Sequence, residues 1–232
     1  MSNKSCSATS QLTNWYKKIP KGLKTHYENP GLKNHGITNP FRMVIVGNSG
    51  SGKTTLVLEL IHRMPNTFGH ITICCMDADE PLYKFIRTKI KPEQLSIEEG
   101  YPNIPRLEDL DKEIQHLVIF DDLCLERRQD IIESYFIRGR KIAKGVSCIY
   151  LTQSYYQTPK VIRLQANYII MKKLTSTRDL VMVMKDLSLG LEKADLLELY
   201  KYCTREQGSF MMIDVQSDPS KRFRKNFSEI LS

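Results

Sequence analysis

Short apolar runs recur along this chain, with enough residues between them for a helix each time. Met43–Val46, Ile71–Met76, Leu117–Phe120, Val146–Leu151 and Tyr168–Met171 are continuous rather than alternating, as in strands buried on both faces. Between and after them, apolar residues fall at helical spacing over Thr54–Met64, Glu80–Arg87, Arg127–Phe136, Arg178–Asp186 and Lys193–Cys203, and Pro65 stops the first of these. Such alternation predicts an α/β fold, a mainly parallel sheet flanked by helices on both faces. A last run, Ser209–Val215, is expected to add an edge strand. Residues 1–40 are polar and punctuated by Pro20, Pro30 and Pro40, so they read as a basic, irregular N-terminal arm that Trp15 and Tyr16 could anchor. Residues 41–232 then form one domain with a basic C-terminal tail, and 232 residues are enough to bury a substantial core.

The strand at Met43–Val46 runs directly into Gly47-Asn48-Ser49-Gly50-Ser51-Gly52-Lys53-Thr54, which fits G-x-x-x-x-G-K-[ST] in full. Glycines at 47, 50 and 52 allow successive N–H groups to turn inward on phosphate oxygens, and the following helix adds its positive end. Lys53 is expected at the β- and γ-phosphates and Thr54 on Mg²⁺, with Thr55 completing the nucleotide-binding stretch.

Leu117-Val118-Ile119-Phe120-Asp121-Asp122 is a buried-strand pattern ending in two carboxylates, some seventy residues after the P-loop. Asp121 is expected in the Mg²⁺ shell and Asp122 at the γ-phosphate, polarising the attacking water. The next strand ends in Gln153. If that strand lies between the P-loop strand and the Asp121 strand, its amide sits where it can sense the γ-phosphate. Arg138-Gly139-Arg140 lies between the two, and an arginine offered from a subunit edge can stabilise a neighbour's transferring phosphoryl group. Arg138 and Arg140 are the candidates for that role.

Charge changes the picture at the ends only. The net +8 is the sum of +5 over residues 1–40 (six lysines against Glu28) and +3 over residues 219–232 (Lys221, Arg222, Arg224 and Lys225 against Glu229), so the core is neutral. Basic ends suit contact with the phosphates of a polyanion such as DNA. No apolar run reaches the ~18 residues of a membrane span, and the first residues lack the apolar block of a secretion signal. The six cysteines form no C-x-x-C pair and read as reduced, small hydrophobes, while the five scattered histidines are expected at the surface or at caps.

These motifs together resemble the poxvirus-type genome-packaging ATPases of the FtsK/HerA superfamily, found in large DNA viruses, virophages and polinton-like elements. The resemblance rests on Gly47 to Thr55, the "LVIFDDL" of Leu117–Leu123, Arg138-Gly139-Arg140 ahead of Val146–Gln153, Asn167, Arg178-Asp179, Phe210–Asp214 and the closing Arg222–Phe227. It implies a RecA-like fold, a homo-oligomeric ring, ATP hydrolysis with Mg²⁺, and translocation of double-stranded DNA into a preformed viral capsid. The setting it implies is the host cytoplasm, a viral factory or the virion. A small-molecule kinase, an AAA+ or superfamily 3 DNA helicase, and a nucleotide-switched binding protein also begin from a P-loop. The Asp-Asp and Gln-ended strands argue against the kinase, and the lack of a separate helical lid or origin-binding unit argues against the helicase.

Overall fold

The continuous apolar runs become the strands of a single sheet. The computed structural model describes residues 13–187 and 189–231. Its strands are β1 (Arg42–Val46), β2 (His70–Cys75), β3 (Leu95–Glu99), β4 (His116–Asp121), β5 (Val146–Thr152), β6 (Tyr168–Met171), β7 (Met211–Asp214), β8 (Phe223–Lys225) and β9 (Glu229–Leu231), in spatial order β3-β2-β4-β5-β1-β6-β7-β8-β9. The strands from β3 to β6 in that order are parallel, and β7, β8 and β9 add to the β6 side antiparallel. Strand β5 pairs with β1 on one side and β4 on the other, with Val46 opposite Thr152 and Asp121 opposite Leu151.

Because side chains alternate along a strand, the sheet has two separate cores. Val44, Val118, Phe120, Tyr150 and Ile169 face the layer built from α5 (Asp130–Arg138), α6 (Lys160–Gln165), α7 (Arg178–Asp186) and α8 (Lys193–Cys203). Met43, Ile45, Ile119, Ile149 and Leu151 face the layer of α3 (Lys53–Arg63) and α4 (Pro81–Arg87). Burial of this kind is worth roughly 1.5–3 kcal/mol per large apolar side chain. The expected α/β architecture, a mostly parallel sheet covered on both faces, is therefore present. Among the described residues no helix is long and apolar enough to cross a membrane.

The described part of the N-terminal region carries the short helices α1 (Trp15–Lys18) and α2 (Leu32–His35) with a 3-10 turn at Lys21–Leu23 between them, and its later half packs against the domain. Ile37 is fully buried, the Glu28 N–H donates to Gln115 Oε1 at 2.5 Å, and the Tyr168 hydroxyl lies 3.1 Å from both the backbone nitrogen and Oγ1 of Thr38. Trp15 does not anchor it, being 69% exposed. Lys4 and Cys6 of the expected arm, and the side chain of Tyr16, lie outside the described residues.

Several expectations are corrected by tertiary packing. The run at 209–215 forms β7, yet it is interior rather than an edge, because β8 and β9 extend the sheet beyond it. Those two strands are three residues each, too short for periodicity to show. Two of the four cations of the basic C-terminal tail turn inward: Arg224 lies on β8 and pairs with Asp214 at 3.1 Å, and Lys225 is buried and pairs with Glu206 at 2.9 Å. His35 and His116, expected at the surface or at caps, are buried. Burial, and then the charge of Arg63, pushes the His35 imidazole down to about 4.

Candidate active site

The end of β1 is where the backbone leaves the sheet and needs new partners. Gly47 N–H donates to the Thr152 carbonyl of β5 at 3.1 Å, and Lys172 N–H, just past β6, donates to the Val46 carbonyl at 2.8 Å. The loop is thus clamped between its two neighbouring strands. A Cβ at Gly47 would meet Ser51 Oγ and press on Lys172 Cβ, so glycine permits that closeness without displacing either side chain. Gly52 has φ +80 and opens α3 from the left-handed region, a conformation other residues adopt only with strain. The N-terminal N–H groups of α3 consequently face the loop interior, as a phosphate site needs. Ser51 Oγ is buried without a partner, a polar atom waiting for one.

Lys53 is buried, and its ammonium donates to the carbonyls of Gly47 (3.0 Å) and Asn48 (3.3 Å). This places the charge inside the loop. Thr54 Oγ1 donates to Asp121 Oδ2 at 3.3 Å across the gap between α3 and β4. Asp121 is 6% exposed, and burial is the main reason that its carboxyl lies above the usual carboxylate range. A hydroxyl and a carboxylate meeting at the edge of a phosphate loop form an oxygen-only donor set, which suits Mg²⁺. The parts expected to hold nucleotide and metal therefore converge.

Asp122 follows in the left-handed region, φ 52, with its side chain exposed. A non-glycine residue held there stores strain of order 1–3 kcal/mol, a cost found most often at functional positions. Gln153 is exposed at the end of β5, between the ends of β1 and β4, as the proposed sensor position requires. The loop that carries it is tied down by Asp179 of α7, which accepts from Ser154 Oγ at 2.9 Å and from the Tyr156 N–H at 2.8 Å. Arg178, the preceding residue, stacks 3.6 Å over the Tyr156 ring. The Arg178-Asp179 pair, which the sequence left without a role, thus anchors the segment after Gln153.

Arg138 and Arg140 are not brought to this site. Arg42, at the start of β1, donates to the Phe136 carbonyl at 3.2 Å, so α5 ends beneath the N-terminal edge of the sheet, opposite the P-loop. Arg138 there pairs with Glu108, and Arg140 is exposed.

Two residues the sequence did not single out do reach the site, one from α4 and one from the position that precedes it. The buried Tyr83 hydroxyl donates to Asp121 Oδ2, and Glu80, at the N-cap of α4, is close enough to Asp121 and Asp122 for their charges to add to burial in raising its carboxyl. No motif marks them. They arrive because β2 pairs with β4, which sets the first turn of α4 over the end of the Asp121 strand. On the other side of the loop, a cavity of about 1140 Å³ opens between Ser49, Thr55, Lys172, Phe210 and Phe227. It is large enough for a nucleoside beside the P-loop phosphates.

A family profile described as Poxvirus A32 protein matches residues 32–217. No curated protein matches the chain in sequence. Among solved structures, the genome packaging NTPase B204 of Sulfolobus turreted icosahedral virus 2, in complex with ATP-gammaS, superposes with a TM-score of 0.60 at 20% identity, covering 84% of this chain and 100% of that one. ATPases 2 and 3 of EssC from Geobacillus thermodenitrificans superpose at 0.57 and 10% identity, over 83% of this chain and 40% of that one. The cytoplasmic domain of the Thermomonospora curvata type VII secretion ATPase EccC gives 0.54 and 15%, over 83% and 26%. At these identities the likeness is one of fold. The profile match spans most of the chain and includes the P-loop, the Asp121 strand and the Gln153 strand, so the chain belongs to the Poxvirus A32 protein family, the poxvirus-type viral genome-packaging ATPases.

Proposed function

We propose that this chain is the ATP-hydrolysing motor that drives double-stranded DNA into a preformed viral capsid, working as a homo-oligomeric ring in the host cytoplasm, a viral factory or the virion. The observation that carries the reading is the meeting of Lys53, Thr54 and Asp121 at the mouth of the P-loop, in a chain of this family. B204, the packaging NTPase with the same fold, was solved with ATP-gammaS, which supports ATP as the nucleotide here.

Lys53 would exchange the Gly47 and Asn48 carbonyls for the β- and γ-phosphates, while the loop N–H groups hold the remaining oxygens. Thr54 and Asp121 would hold Mg²⁺, which when bound neutralises charge on the phosphate oxygens. Asp122 takes the proton side of water attack, and Gln153 orients that water or reports loss of the γ-phosphate. Since Arg138 and Arg140 lie at the far edge of their own sheet, either can serve only a neighbouring subunit's nucleotide, which favours an assembly. DNA contact through phosphates falls to the exposed lysines Lys17, Lys18, Lys21, Lys24, Lys33 and Lys221, because Arg224 and Lys225 pair with Asp214 and Glu206.

Turnover measured with and without duplex DNA tests this directly. Duplex should accelerate ATP hydrolysis, and Lys53→Ala should abolish it. A rate indifferent to duplex DNA would remove the motor reading in favour of a nucleotide-switched binding protein, and wild-type turnover by Lys53→Ala would remove the site itself.

A further inference from the structure

Tyr83 is 2% exposed, and its ring packs in the core that α3 and α4 share with the sheet. Packing alone asks only for the ring, which phenylalanine supplies equally. The hydroxyl is therefore the informative atom, and its recorded partner is Asp121 Oδ2, the oxygen that also accepts from Thr54 Oγ1. Two donors from two different elements converge on one carboxylate oxygen. A carboxylate on a strand end can rotate about its last bond; one oxygen held both by a rigid phenol and by Thr54 fixes that rotation. Partners of this kind behind a metal-binding carboxylate change metal affinity by roughly 10–100-fold when removed.

We propose that Tyr83 is a positioning residue of this site: it orients the Asp121 carboxylate and so sets the affinity of the site for Mg²⁺ bound with nucleotide. The proposal rests on the reading that Thr54 and Asp121 hold the metal. Tyr83 touches neither nucleotide nor water; it acts through Asp121.

The test is equilibrium binding of a fluorescent, non-hydrolysable ATP analogue, titrated with Mg²⁺ and repeated in EDTA, for the wild type and Tyr83→Phe. Circular dichroism melting accompanies it, since the ring and the fold are expected to survive. Tyr83→Phe should raise the Mg²⁺ concentration at half-effect about tenfold and leave the affinity in EDTA unchanged. In an Asp121→Asn background the same substitution should have no further effect. A midpoint that is unchanged or lowered would overturn the proposal, the latter by showing that Tyr83 plugs the site. Equal weakening in Mg²⁺ and in EDTA would overturn it by showing a purely structural part. If wild-type binding did not respond to Mg²⁺ at all, the metal reading of Thr54 and Asp121 would fail, and the proposal with it.

Discussion

Arg224 separates two accounts of the basic C-terminus. A solvated arginine that binds DNA can be replaced with no loss of stability, whereas the structure makes Arg224 part of the fold. Its guanidinium donates to Asp214 Oδ2 at 3.1 Å and to the Gly36 carbonyl at 3.1 Å, and both members of the ion pair are only 12% exposed. Replacing one partner of such a pair leaves the other charge buried and uncompensated, which costs about 3–5 kcal/mol. Arg224→Met keeps most of the packed stem and removes the charge, so the loss should lie at the lower end of that range and lower the melting temperature by roughly 10 °C for a domain of this size. Asp214 already sits above the usual carboxylate range because burial outweighs the attraction of Arg224. Without Arg224 it rises further. A carboxyl whose folded value exceeds its unfolded one adds stability at low pH that is lost as pH rises, so the deficit of Arg224→Met should shrink as pH is lowered toward the carboxylate range. The double variant Arg224→Met, Asp214→Leu should recover much of the loss, as buried pairs replaced by apolar residues often do. Urea denaturation at two pH values measures all three, and a salt series of duplex binding completes the comparison. A variant that melts with the wild type while its duplex affinity and salt slope fall would refute the reasoning and return Arg224 to the DNA surface.

Three other outcomes are expected. Asp179→Ala removes the acceptor of two hydrogen bonds that hold the segment after Gln153, so kcat should fall at least tenfold with nucleotide affinity kept; an unchanged kcat in steady-state turnover would detach that loop from hydrolysis. Asp122→Asn should retain ATP while losing turnover, and a loss of binding as deep as that of Lys53→Ala would move Asp122 from water activation to site structure. Because the folded-state value of His35 is held near 4, the unfolded chain takes up the proton first, and stability should decline by up to roughly 3 kcal/mol as pH falls from 6.5 toward 4. His35→Asn offers Ile37 N–H a similar acceptor without titrating, so its melting temperature should vary less over that window.

The P-loop was legible in the sequence because phosphate binding by backbone N–H groups depends on contiguous residues, and a contiguous pattern survives without knowledge of the fold. The strands β1, β2, β4, β5 and β6 were legible for a related reason: burial on both faces forces unbroken apolar runs. Asp121 and Gln153 could be named as strand ends, but their nearness to the P-loop was conditional on β5 lying between β1 and β4, and pairing order is a property of the sheet. What tertiary structure alone decided concerns contacts between residues far apart in the chain. Tyr83 meets Asp121, Asp179 holds the loop after Gln153, and Arg224 pairs with Asp214 only because separate elements are packed side by side. A tyrosine in an amphipathic helix, an aspartate in a helix's first turn and an arginine in a basic run are each ordinary surface or core residues until a partner is placed opposite. Composition counted the charge of Arg224 and Lys225 toward a DNA-binding end; burial beside Asp214 and Glu206 turned that charge inward, since a buried cation must find an anion and an exposed one need not.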